Sequence, residues 1–458
     1  MSTPKISFYN LAWRWHFYAG LFVAPFMVLL ALTGIVYLFK PQLDPLMYGD
    51  LLKVPAAEQA LSADELLQRA QTAYPHGKIS KYLPPADANA SAQFVMHEDG
   101  RDLTVFVDPY RGTVLGTQDA KNNLQAIARA LHGELLIGKT GDRLVELAAG
   151  WGVMLVISGL YLWWPRGKTF AGILWPRLGS RGRLFWRDLH AVAGFWGAGF
   201  LLVMLLSGMT WTGFWGKQYA DLWNTFPPAM WNNVPQSDQQ ARVLNTASQQ
   251  TVPWALENTP MPMSGEHAEH MQHGGMSHGP AAPTVSLQQV VDLAAARKVE
   301  PGYSITFPAT AEGVFTLAVF ANDPRNDATL HVDQYTGKVL ADVRWEHYNG
   351  VARATEVGVM LHEGKMFGPL NQLIVLVICL MILLSAVSGV VIWWKRRPQG
   401  GLGVPPLRHD LSRWKTAIAI MLVLAIVFPL VGASLVVVWG LDRLVLSRLF
   451  GQREFASR

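Results

Sequence analysis

Long uncharged runs dominate the pattern of hydrophobic and polar positions in this chain. Five stand out, at 17–39, 147–164, 191–216, 366–394 and 416–441. Each is long enough to cross about 30 Å of hydrocarbon as a helix. Between the runs the pattern changes. Helical periodicity covers 62–74 and 286–298, with Ser62 and Ser286 placed as N-caps. Strand-like runs follow at 93–96 and 103–107, and again at 314–320 and 329–332. The expected architecture is a membrane α-helical bundle of about five transmembrane helices, internally duplicated, carrying two α+β modules outside the bilayer.

Composition supports this. The chain has 458 residues, of which 16% are charged, against about 25% in soluble proteins. Mean hydropathy is +0.18. The net charge of +5 would suggest nucleic acid if the bases were scattered, but they cluster between spans. Arg166, Lys168, Arg177, Arg181, Arg183 and Arg187 fill one short loop, and Lys395, Arg396, Arg397, Arg408, Arg413 and Lys415 another. Basic short loops face the cytoplasm, so the charge reads as membrane topology and not as nucleic-acid binding. The N-terminus is then cytoplasmic and the two modules lie outside. The expected division is 1–40 (N-terminus and first span), 41–130 (first module) and 131–216 (second and third spans). It continues with 217–355 (second module), 356–441 (fourth and fifth spans) and 442–458 (tail).

The halves repeat. His132 precedes Gly159 by the same 27 residues that separate His362 from Gly389, and the blocks Ser158-Gly159…Trp163-Trp164 and Ser388-Gly389…Trp393-Trp394 correspond. His16 and His190 each precede a Thr/Ser–Gly pair, Thr33-Gly34 and Ser207-Gly208, by one common spacing. Val107-Asp108 through Val114-Leu115 matches Val332-Asp333 through Val339-Leu340, each with a Tyr-x-Gly turn. The fifth span starts a third copy, in which Trp414 stands where a histidine would be; this copy reads as structural.

Ionisable residues in or beside membrane helices are functional candidates. Duplicated histidine pairs point to haem, held by two imidazoles and suited to electron transfer. The symmetric pairing is His16 with His190 near the cytoplasmic face and His132 with His362 near the outer face. Breakers after the latter two, at Gly138–Gly141 and Gly364–Pro369, place each on a short helix at the membrane surface. Gly20, Gly194, Gly197 and Gly199 either admit the macrocycle or serve helix packing. The single cysteine, Cys379, excludes an intrachain disulfide, a Cys₄ iron–sulfur cluster and c-type haem attachment. No G-x-G-x-x-G follows a strand, so electrons must arrive from a separate donor, a quinol or a cytoplasmic flavoprotein.

Residues 254–280 form a Met/His-rich stretch, read as a flexible outside loop. Its candidate ligands are Met261, Met263, His267, His270, Met271, His273, Met276 and His278. Thioether and imidazole suit copper; a polar insertion with incidental metal affinity is the other reading.

At these blocks the chain resembles the PepSY-associated transmembrane family, which includes FoxB-like and PiuB-like ferrisiderophore reductases of the bacterial inner membrane. The V-D-x-Y-x-G-x-V-L segments resemble PepSY modules. The resemblance implies a haem-dependent oxidoreductase with two haem b groups on His16, His132, His190 and His362. It would reduce a ferric siderophore or other ferric chelate in the periplasm and release ferrous iron. Two alternatives stand beside it. One is a copper-handling or cupric reductase using the Met/His loop, and the other is a non-catalytic PepSY binding protein.

Overall fold

A computed structural model describes residues 8–165, 172–223, 234–245, 251–265, 284–397, 419 and 422–441. It divides into two compact units, one built from 1–35, 131–218 and 376–458, the other from 36–130 and 219–375.

The first unit is helical. Among the described residues, four helices are long and apolar enough to cross a membrane. They are α1 (Phe8–Leu38), α4 (Lys139–Trp163), α5 (Arg183–Met209) and α8 (Pro369–Arg396). Val23, Met27, Val153, Leu205 and Phe428 belong to their common core. The fifth expected span is helical at 422–427, bends at Phe428 and resumes as α9 (Pro429–Leu441). Pro429 explains the break, since it cannot donate to the preceding turn. Parts of 416–441, and Trp414, lie outside the described residues. Trp151 Nε1 donates to Ser434 Oγ at 3.1 Å, tying α4 to α9.

Two short helices precede α4 and α8. The first, α3 (Leu124–Glu134), carries His132. Leu135, Leu136 and Gly138 then take positive φ before α4 begins. The second, α7 (Gly350–His362), ends at its histidine, and Gly364 and Gly368 take positive φ before Pro369 opens α8.

The second unit is an α+β structure in which eight of the described strands form one sheet, ordered β10-β9-β8-β7-β1-β2-β3-β4. The strands β1 (Lys78–Leu83), β2 (Ala92–Glu98), β3 (Arg101–Val107) and β4 (Val114–Asp119) come from the first half. From the second half come β7 (Ser304–Thr306), β8 (Val314–Val319), β9 (Ala328–Asp333) and β10 (Val339–Arg344). The sequence suggests two separate modules, whereas the structure joins their sheets through an antiparallel pair, Lys81 opposite Thr306 and Tyr82 opposite Ile305. The grouping also places α7 and His362 with the sheet, not with the spans as the expected boundary at 356 has it.

One face of the sheet is covered by α2 (Ala63–Ala73) and α6 (Leu287–Ala296). Alternation sends Phe94, Met96, Val105, Leu317 and Leu330 to this face, where they meet Leu66, Ala70, Val290 and Ala294. Ser62 and Ser286 each close a full capping box. The helices also cap one another. Ala63 N donates to Gln288 Oε1 at 2.7 Å, and Leu287 N to Asp64 Oδ1 at 2.9 Å. Replacing Ser62 or Ser286 by alanine should therefore cost about 1 kcal/mol each. Asp64→Ala, which strips the cap of the other helix, should cost a similar amount, read as a lower unfolding temperature of the purified protein.

The opposite face is polar and also buried. Lys81 Nζ donates to Leu244 O at 2.8 Å and to Thr251 Oγ1 at 3.3 Å. His331 is paired with Thr316 at 2.9 Å, and burial pushes its pKa down to about 3. It is a neutral core histidine, outside the repeated set.

Candidate haem site

His16, His132 and His190 share one local arrangement. His16, on α1, sits with Nδ1 2.9 Å from Ser158 Oγ on α4. His132, on α3, sits with Nδ1 3.0 Å from Thr33 Oγ1 on α1. His190, on α5, sits with Nδ1 3.0 Å from Ser385 O and 3.2 Å from Ser388 Oγ on α8.

These contacts fix the tautomer. A carbonyl oxygen only accepts, so His190 Nδ1 carries the proton. Each hydroxyl already donates to the carbonyl four residues back. Ser158 gives its proton to Met154 O at 2.6 Å, Thr33 to Leu29 O at 2.8 Å and Ser388 to Leu384 O at 2.6 Å. Its oxygen is left to accept from the imidazole. Nδ1–H donation leaves the Nε2 lone pair for a metal, the usual way a neighbour orients a ligating histidine.

The residue after each hydroxyl is glycine, and at Gly159 close approach explains it. A Cβ on Gly159 would lie 3.1 Å from His16 Cε1, one on Gly389 3.4 Å from His190 Cε1, and one on Gly34 3.5 Å from His132 Cε1. The Thr/Ser–Gly pairs are visible in the sequence as part of the repeat, but their partner is not. Each serves a histidine from a different helix. Ser207 makes the same back-bond, to Val203 O at 2.7 Å.

His16 and His190 come together. Their ring centres are 6.3 Å apart and their planes cross at 82°. Two imidazoles on opposite sides of one iron need a metal–nitrogen bond of about 2 Å each, plus a ring radius of about 1 Å each, or about 6 Å between centres. The spacing fits. Gly194, one turn after His190, and Gly199 face open space, whereas Gly20 and Gly197 meet Leu155 and Met381 and serve packing. His132 groups with the helical unit and His362 with the sheet unit.

The Met/His stretch divides differently. Met261 lies in strand β6 (Pro260–Pro262), which pairs with β5 (Gln236–Gln240), and is 7% exposed. Met263 N donates to Pro235 O at 2.9 Å. The first part of 254–280 is thus ordered structure and not a flexible loop, because Trp254, Ala255 and Leu256 are buried. His267, His270, Met271, His273, Met276 and His278 lie outside the described residues. Among the described residues, no group of three or more His, Cys, Asp or Glu side chains could hold a metal ion.

The family model for the PepSY-associated TM region matches residues 13–396, a stretch that contains all four histidines and both halves of the sheet. The chain belongs to the PepSY-associated TM family. It is a membrane protein, and its four long apolar helices suit a lipid bilayer. No curated protein matches the chain.

Proposed function

We propose that this PepSY-associated TM protein is a dihaem electron-transfer protein of the bacterial inner membrane. It passes electrons to a ferric siderophore or another ferric chelate on the periplasmic side. The observation that carries this reading is the His16–His190 pair, 6.3 Å apart with Nδ1 of each ring held by a back-bonded serine. Haem b bound there would supply one-electron chemistry, and two protein ligands would leave no open position for oxygen. Arg183 and Arg396 are close enough to repel one another, and Arg396 stacks 3.4 Å over Trp13. Neighbouring guanidiniums at the His16 end suit the carboxylates of a macrocycle.

In the same reading, His132 and His362 are further haem ligands near the outer face. The eight-stranded unit is a fused pair of PepSY-like modules standing in the periplasm, and the N-terminus is cytoplasmic. Electrons come from a quinol or a cytoplasmic flavoprotein.

The test is reduction by haem-loaded protein in detergent. Dithionite-reduced protein, freed of excess reductant, is mixed with a ferric hydroxamate and a ferrous-specific chromogen. Haem reoxidation in step with ferrous release supports the reading. Reduced haem that persists beside the ferric chelate, but is reoxidised by cupric ion, would move the assignment to copper. A folded protein that binds no haem would leave a PepSY binding protein.

A further inference from the structure

A second titratable cluster lies in the sheet unit, outside the histidine set. Glu356 sits on α7, six residues before His362, and is fully buried. Its Oε1 accepts from Ala255 N at 2.7 Å, and its Oε2 has no partner among the described residues. Asp327, 1% exposed, accepts from Ala321 N at 2.9 Å through Oδ1, and its Oδ2 has no partner among the described residues. Tyr348 is 5% exposed, and among the described residues its hydroxyl has no partner either. The three are electrostatically coupled, each acidic group disfavouring ionisation of the next.

Their surroundings do not neutralise them. Glu257 and Glu363 also act on Glu356, and Asp323 and Glu300 on Asp327, all as further negative charge. The cation acting on Asp327 is Lys365, and Lys365 is already paired with Glu363 at 2.5 Å. Two buried carboxylates in such a place cannot both ionise. Protonation removes the charge and lowers the cost of keeping each acid buried. Burial accordingly pushes Asp327 up to about 8 and Glu356 well above the carboxylate range.

We propose that Glu356, Asp327 and Tyr348 form a proton-binding site that exchanges a proton with water as an electron arrives at, and leaves, the centre held by His362. This rests on the electron-transfer reading. Glu356 and His362 are about 9 Å apart along the axis of α7. A unit of charge about 10 Å from a carboxyl, in a partly screened interior, changes its proton affinity about tenfold. When the centre is oxidised and positive, the pair carries one carboxylate. When one electron arrives from the donor, that carboxylate takes one proton from water and an O–H bond forms. When the electron passes to ferric iron, the O–H bond breaks and the proton returns to water. Charge balances at each stage.

The experiment uses the full chain in detergent, read by infrared spectroscopy and by redox titration. A protonated-carboxyl band that shifts in heavy water should be present at neutral pH and should be lost or reduced in Glu356→Gln and Asp327→Asn. Both variants keep the shape of the side chain and a carbonyl acceptor. The same band should change in the reduced-minus-oxidised spectrum. The midpoint potential of one haem should fall as pH rises through about 8, and this slope should flatten in both variants. Absence of the carboxyl band in the wild type, or carboxylate bands perturbed by added calcium, would overturn the proton site. A haem-loaded protein whose band ignores reduction would overturn the coupling alone. A protein without haem would overturn the coupling through the parent reading, and its absorption spectrum distinguishes that case.

Discussion

Haem content should fall from about two per chain to about one when His190 is replaced by alanine. The ring centres of His190 and His16 are 6.3 Å apart, so removing one imidazole would leave a haem iron a single protein ligand there. His132 donates its hydrogen bond to Thr33, which neither His16 nor His190 uses, so binding that involves His132 should survive. Ser388→Ala is the graded version. It removes a contact of 3.2 Å but leaves Ser385 O to hold Nδ1. Loss of such an outer-shell partner typically costs about 10–100-fold in metal affinity. Retention of haem on dilution should therefore weaken in Ser388→Ala and vanish at one site in His190→Ala. A pyridine haemochrome count on both proteins checks this, with His16→Ala expected to behave like His190→Ala.

Gly159→Leu should empty the same centre while both ligands remain in the chain. A Cβ at this position meets His16 Cε1 at 3.1 Å, closer than ordinary contact, and a leucine adds three more carbons in the same direction. The ring must swing, and Nδ1 then leaves Ser158. Overpacking costs about 1–3 kcal/mol, and a ligand displaced by about 1 Å no longer reaches the iron. The expected result is one haem per chain and an unchanged unfolding temperature of the sheet unit. Two haems with normal low-spin spectra in Gly159→Leu would show that the glycine serves only helix packing.

The sequence made some of this legible and hid the rest for physical reasons. The spans are readable because run length against bilayer thickness is a strong constraint. Ser62 and Ser286 are readable because a cap is set by its own next three residues. The joint between the modules is not. Its strand β7 has three residues, and β1 carries Lys78 and Lys81, which look solvent-exposed until Leu244 and Thr251 are seen to enclose Lys81. The histidines stand out by their spacing, but the hydroxyl that orients each one comes from a remote helix, 142 residues away for His16 and 99 for His132. Glu356 and Asp327 carry no motif, and only burial makes them unusual.

The most direct test of the central claim is a reduced-minus-oxidised absorption spectrum of the full-length protein, purified after haem-replete expression. The account predicts a low-spin b-type spectrum with about two haems per chain, falling to about one in His16→Ala and His190→Ala. A folded, colourless protein, or a spectrum unchanged in both variants, would contradict it.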